Sequence, residues 1–149
     1  MSAPAATPDV MGIMTAHIET VEPGQPATFT AGCTVGDGIW QGDLGIEIVA
    51  AVPEDYVRVA APKEADLQLV PGNTQGARHV LDAFDGVELY RPDPWDGEGL
   101  RGPCLVVSRT RVIGHPTHGP VTLLPGFIYN CRYQREWDQE QRAARRTQD

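Results

Sequence analysis

With 149 residues, 13 prolines and 16 glycines, the chain has room for one domain and breaks itself too often for a helical bundle, so short strands joined by turns suit it best. Its formal net charge of −8 works against a general nucleic-acid binder. Three cysteines without CxxC spacing indicate neither a secreted disulfide framework nor a zinc knuckle, and they fit a reducing compartment.

Residues 1–12 begin MSAPAATPDV, small, proline-containing and almost uncharged, which reads as an N-terminal arm. No basic start followed by an apolar core is present, and no apolar run approaches the roughly 18 residues of a membrane span. The expectation is a soluble protein of the cytoplasm, or of a virion if a phage encodes it.

Residues 13–137 read as a β domain. Ile13–Val21 is a first strand, closed by Glu22-Pro23-Gly24; Ala27–Val35 is a second, weakened by Gly32. Gly36-Asp37-Gly38 turns the chain into Ile39–Val52, where Leu44, Ile46 and Ile48 alternate with polar or small residues until Pro53. Tyr56–Val59, Leu67–Val70 and Val87–Tyr90 are short strands, and Thr74–Leu81 holds turn residues first and an apolar end. Arg91–Pro103 is the longest irregular connection and carries Trp95. Cys104–Ile113 reads as one strand, with Ser108, Arg109 and Arg111 turned to solvent or a partner.

The run from His115 to Trp137 is the most informative. Pro116 pushes His115 toward extended backbone and Gly119-Pro120 turns the chain, so the His115-x-x-His118 pair sits on a loop. Val121–Leu124 is a short buried strand. Pro125-Gly126 fits the centre of a type II turn, whose twist opposes that of a tight hairpin, so the expectation is either a longer loop or a crossing between sheets. Phe127, Tyr129, Cys131 and Tyr133 then alternate with Ile128, Asn130 and Arg132, the period of two of a strand with one face on a core. Residues 138–149 suit a terminal helix capped by Asp138, with Gln141 completing a capping box; it lacks an apolar stripe. The fold expected is all-β, a small barrel or sandwich, with an extended N-terminal arm and a short C-terminal helix.

Charge is unevenly placed: residues 1–100 carry net −12 and residues 101–149 net +4. An acidic body with a basic end favours docking to copies of itself or to an acidic partner, through Arg132, Arg135, Trp137, Arg142, Arg145 and Arg146. Tyr133 and Trp137 interleave with those arginines as in a nucleic-acid surface, but the body repels a polyanion. His79, His115 and His118, with a carboxylate such as Glu88, are candidate ligands for a divalent metal in a cupin-like enzyme or sensor; backbone-bonded loop histidines are the plainer reading. No catalytic residue stands out. The serines Ser2 and Ser108 lie outside any GxSxG turn, Lys63 follows proline rather than a glycine-rich loop, and Cys104 and Cys131 read as packing.

Gln41-Gly42-Asp43, Thr74–His79 (TQGARH), Val87–Tyr90, His115–Gly119 (HPTHG), Pro125-Gly126 and Tyr133–Trp137 (YQREW) together resemble a group of short, uncharacterised proteins of bacteria and their phages, over roughly residues 41–149. The resemblance implies no activity. In that group a second histidine often stands two before the position of His79, where this chain has Ala77. The expected role is a non-enzymatic interaction or assembly module, an oligomer or part of a larger protein assembly such as a phage particle, without membrane, nucleic acid or cofactor unless the histidines take a metal.

Overall fold

A computed structural model describes residues 18–20, 25–69, 78–95 and 101–133. The arm over 1–12, the helix over 138–149, and Arg135, Trp137, Arg142, Arg145 and Arg146 lie outside the described residues.

Eleven strands are described: β1 Ile18–Thr20, β2 Ala27–Thr28, β3 Gly38–Gln41, β4 Leu44–Val49, β5 Tyr56–Arg58, β6 Val80–Leu81, β7 Val87–Pro92, β8 Arg101–Val107, β9 Arg111–Gly114, β10 Val121–Leu123 and β11 Phe127–Tyr133. They form a seven-stranded sheet in the order β1-β3-β4-β11-β8-β7-β5 and a four-stranded sheet in the order β2-β10-β9-β6. The architecture is an all-β sandwich; of the two shapes expected, the barrel is not formed. One helical turn, Glu64–Leu67, is the helical element among the described residues.

The alternation read from Phe127 to Tyr133 is carried out by β11, the central strand of the larger sheet. Tyr129 and Cys131 are fully buried, whereas Ile128, Asn130 and Arg132 are half-buried on the opposite face. Side chains from both sheets meet in one core: Ile39, Leu44, Ile46, Leu89 and Leu105 from the larger, and Leu81, Ile113, Val121 and Leu123 from the smaller. Apolar burial of this kind contributes roughly 1.5–3 kcal/mol per large side chain before chain entropy is counted.

Four sequence expectations change. The run Ala27–Val35 pairs only as β2 over Ala27–Thr28 and then turns at Ala31-Gly32, where the Cys33 amide donates to the Thr30 carbonyl at 3.0 Å. The run Ile39–Val52 is a hairpin, β3 and β4 opposing Gln41 to Leu44 across Gly42-Asp43, because Gly42 takes φ +61° and closes a two-residue loop. The run Cys104–Ile113 breaks at Ser108–Thr110, where the Ser108 amide and hydroxyl both donate to the Gly86 carbonyl (2.7 and 2.9 Å); β8 stays in one sheet and β9 enters the other. The segment expected as a strand from Leu67 begins as the end of the helical turn, since the Asp66 carboxylate accepts the Lys63 amide at 2.7 Å and winds the chain there. Pro125-Gly126 does carry the chain from the smaller sheet to the larger, with Gly126 at φ +93°.

Candidate functional site

At one end of the sandwich the β3–β4 turn, the residue before β6 and the loop from His115 to Pro120 come together. Gln41 ends β3 with its side chain pointing inward and fully buried. Its amide Nε2 donates to the carbonyls of Ile113 (2.9 Å) and Gly119 (3.0 Å), so the larger sheet grips the smaller one and its loop. Its Oε1 stands 2.8 Å from Nδ1 of His79, also fully buried, and the other ring nitrogen of His79 lies 3.2 Å from Oδ1 of Asp43. The Asp43 side chain is 51% exposed, so one edge of the site faces water.

The three histidines singled out from the sequence are neighbours here. His79 and His115 have ring centroids 4.6 Å apart, and His115 and His118 4.8 Å. The rings meet as tilted faces. His115 Nδ1 accepts the backbone amides of Thr117 and His118, both at 3.1 Å, so it carries no hydrogen and the ring's proton sits on Nε2. That acceptor role folds the HPTHG loop back on itself, which is the backbone-bonding part expected of a loop histidine. His118 lies over Gly42: a Cβ there would stand 2.7 Å from its Cδ2, which together with the positive φ leaves room for glycine alone. Gly119 is likewise fixed, by the Gln25 carbonyl at the place a Cβ would occupy.

The hydrogen bonds also settle how His79 is protonated at Nδ1. Two carbonyls fix Nε2 of Gln41 as the donor end of the amide, so Oε1 is the acceptor presented to His79, and Nδ1 must bring the hydrogen. Nε2 is thereby the atom turned toward Asp43.

The structure places the other candidates elsewhere. Glu88 lies on β7, four strand spacings from β3 or about 19 Å, and accepts the Tyr90 hydroxyl at 2.8 Å. Among the described residues no three His, Cys, Asp or Glu side chains are arranged to share a metal ion. Arg132 is half-buried on β11, opposite Gly45 of β4. Cys104 and Cys131 are buried, and desolvation pushes the Cys104 thiol up to about 12 and raises Cys131 as well, which keeps both as thiols. Trp95 is packed by the Arg91 guanidinium 5.2 Å from its ring centroid.

Gln41 and Asp43 are the site residues that the residue-by-residue chemistry missed. A glutamine and an aspartate bracketing a turn glycine carry no signature of their own, and their partner lies 36 to 38 positions away in sequence. The QGD triplet entered only through the resemblance.

No curated protein and no solved structure matches the chain. Residues 40–134 match the family described as a domain of unknown function, DUF8820. That span runs from Trp40 to just past β11 and takes in Gln41, Asp43 and all three histidines, and by it this chain belongs to the DUF8820 family.

Proposed function

We propose that this protein is a non-enzymatic interaction or assembly module that joins copies of itself, with a phage particle or capsid-associated structure as its concrete setting. The observation that carries the reading is the β5 edge of the larger sheet, unpaired on its outer side among the described residues. Among the described residues β5 pairs with β7 alone, and Val57 in its middle is 53% exposed beside an exposed Arg58. An unblocked edge with an exposed β-branched residue is a template for a strand from another chain. The opposite charges of the body and of residues 101–149 add attraction between copies. The groups best suited to chemistry support the same reading, since Gln41, His79 and His115 hold backbone and one another, and the thiols of Cys104 and Cys131 are buried.

Light scattering on the full chain tests it. The wild-type protein is expected to associate with rising concentration, and Val57→Lys, a charge placed on the edge at an exposed position, to return it to monomer. A wild type that stays monomeric throughout, or an assembly indifferent to both Val57→Lys and removal of residues 1–12, overturns the proposal.

A further inference from the structure

Resting on the association proposed above, we infer that two copies of the chain pair through β5 in one register: antiparallel, about a two-fold axis at Val57, so that their larger sheets run on as one. The backbone sets which groups are offered. The Asp93 amide donates to the Asp55 carbonyl (2.9 Å) and the Val59 amide to the Leu89 carbonyl (2.8 Å), in step with the pairing of Val57 with Arg91. The odd-numbered residues of β5 therefore turn their backbone groups to β7, and the alternation of an antiparallel ladder turns those of Tyr56 and Arg58 the other way. The Tyr56 amide is already spent on the Pro53 carbonyl at 3.0 Å. The outer side thus presents the Tyr56 carbonyl with the amide and carbonyl of Arg58.

A symmetric pair can be centred on any of the three residues of β5, and two of these registers fail. An axis at Tyr56 needs its amide for the second copy, and that amide is taken. An axis at Arg58 sets two guanidinium side chains directly opposite each other, a destabilising like-charge pair. An axis at Val57 sets Tyr56 opposite Arg58, so each Arg58 amide meets the Tyr56 carbonyl of the other copy. The two exposed valines then close on each other as a non-hydrogen-bonded pair, about 4.5 Å apart at Cα.

The charges choose the same direction. Glu54 and Asp55 precede the strand, Asp55 in an ion pair with Arg101, and Arg58 ends it; Glu54 and Arg58 are both exposed. An antiparallel partner brings each Arg58 to the acidic end of the other copy, whereas a parallel one sets arginine beside arginine and glutamate beside glutamate. The contact uses the same patch on both copies and so closes on itself, giving a pair rather than a fibre. Three strand residues a side are few against the roughly 20–30 that a stable interface engages, so the pair forms and separates with concentration.

The test places a cysteine on the axis. In the full chain, Val57→Cys treated with diamide is expected to give a disulfide-linked dimer, since a Cα separation of about 4.5 Å lies within the span of that bond. Arg58→Cys, also at an exposed position, sets its two cysteines out of register by two residues, more than about 7 Å apart, and is expected to link at least about 10-fold more slowly. The wild-type chain, with Cys104 and Cys131 buried, is the baseline. Arg58→Glu is expected to weaken association about 5-fold, and Glu54→Arg added to it to restore the affinity. Val57→Cys linking no faster than Arg58→Cys in a chain that still associates, or a charge exchange that restores nothing, overturns the register and leaves the association reading intact. A chain that stays monomeric throughout overturns that reading and the register with it.

Discussion

Gln41 and Tyr129 both leave the larger sheet with a fully buried side chain and both end on backbone groups outside it, yet they close the sandwich in different ways. Tyr129, on the central strand, brings a large ring that packs at 4.9 Å from Phe29, and its hydroxyl both accepts the Leu124 amide (2.9 Å) and donates to the Leu124 carbonyl (2.8 Å). Gln41, near the sheet margin, brings little apolar surface and three polar contacts: two carbonyls and the ring of His79. One residue is a core side chain with a satisfied polar tip; the other is a polar clip with almost no core behind it. The difference teaches where a substitution will be felt. Loss of the tyrosine tip strands two groups of one residue, whereas loss of the glutamine strands groups on β9, on the HPTHG loop and on His79 together.

The largest effect is expected at Gln41. Gln41→Ala leaves the Ile113 and Gly119 carbonyls and the His79 Nδ1 hydrogen buried without their partner, at about 1–3 kcal/mol for each group that water cannot reach. A destabilisation above about 3 kcal/mol is expected, a large part of a domain's total stability of about 5–15 kcal/mol. The midpoint of urea unfolding measures it, and a loss below that of Tyr129→Phe would reverse the ranking of the two clips.

Tyr129→Phe comes next. The ring, its contact with Phe29 and the shape of the core are kept, and only the Leu124 amide and carbonyl lose a partner. About 1–3 kcal/mol is expected at neutral pH, read from the same midpoint.

How much of these two regions could be read in advance follows the same division. The Tyr129 side was legible, because alternation from Phe127 to Tyr133 and the Pro125-Gly126 turn are local signals, and β11 occupies just the span they mark. The Gln41 side was not. The glycine-aspartate pair at 42 and 43 was read through as part of one long strand, since Leu44, Ile46 and Ile48 keep the period of two on the far side of the turn. The break at Ser108–Thr110 was hidden in the same way, by apolar residues on both sides of a turn that a long-range bond to Gly86 stabilises. The three histidines named together from the sequence are neighbours in space, as their ring-to-ring contacts show. Their chemistry was out of reach, because the tautomers are set by Gln41 and by backbone amides that only the fold brings near.

The smallest effect separates the two side chains in alkali. Burial raises the Tyr129 phenol to about 12 from its ordinary value near 10, so the folded chain keeps this proton where the unfolded chain has begun to lose it. The contribution is therefore complete below about pH 10 and is lost as pH rises through about 12, at about 1.4 kcal/mol per pH unit in between. Tyr56 and Cys104 are also raised to about 12, so the wild-type protein loses stability from several groups at once. Tyr129→Phe removes one of them. Its cost relative to wild type is expected to be constant from pH 7 to about 9 and then to shrink above pH 10, while the cost of Gln41→Ala, an amide with no proton to lose, holds steady over the same range. Urea midpoints at pH 8, 10 and 11 measure both differences. Parallel curves for Tyr129→Phe and wild type up to pH 11 would mean that burial does not hold the Tyr129 proton in the folded chain.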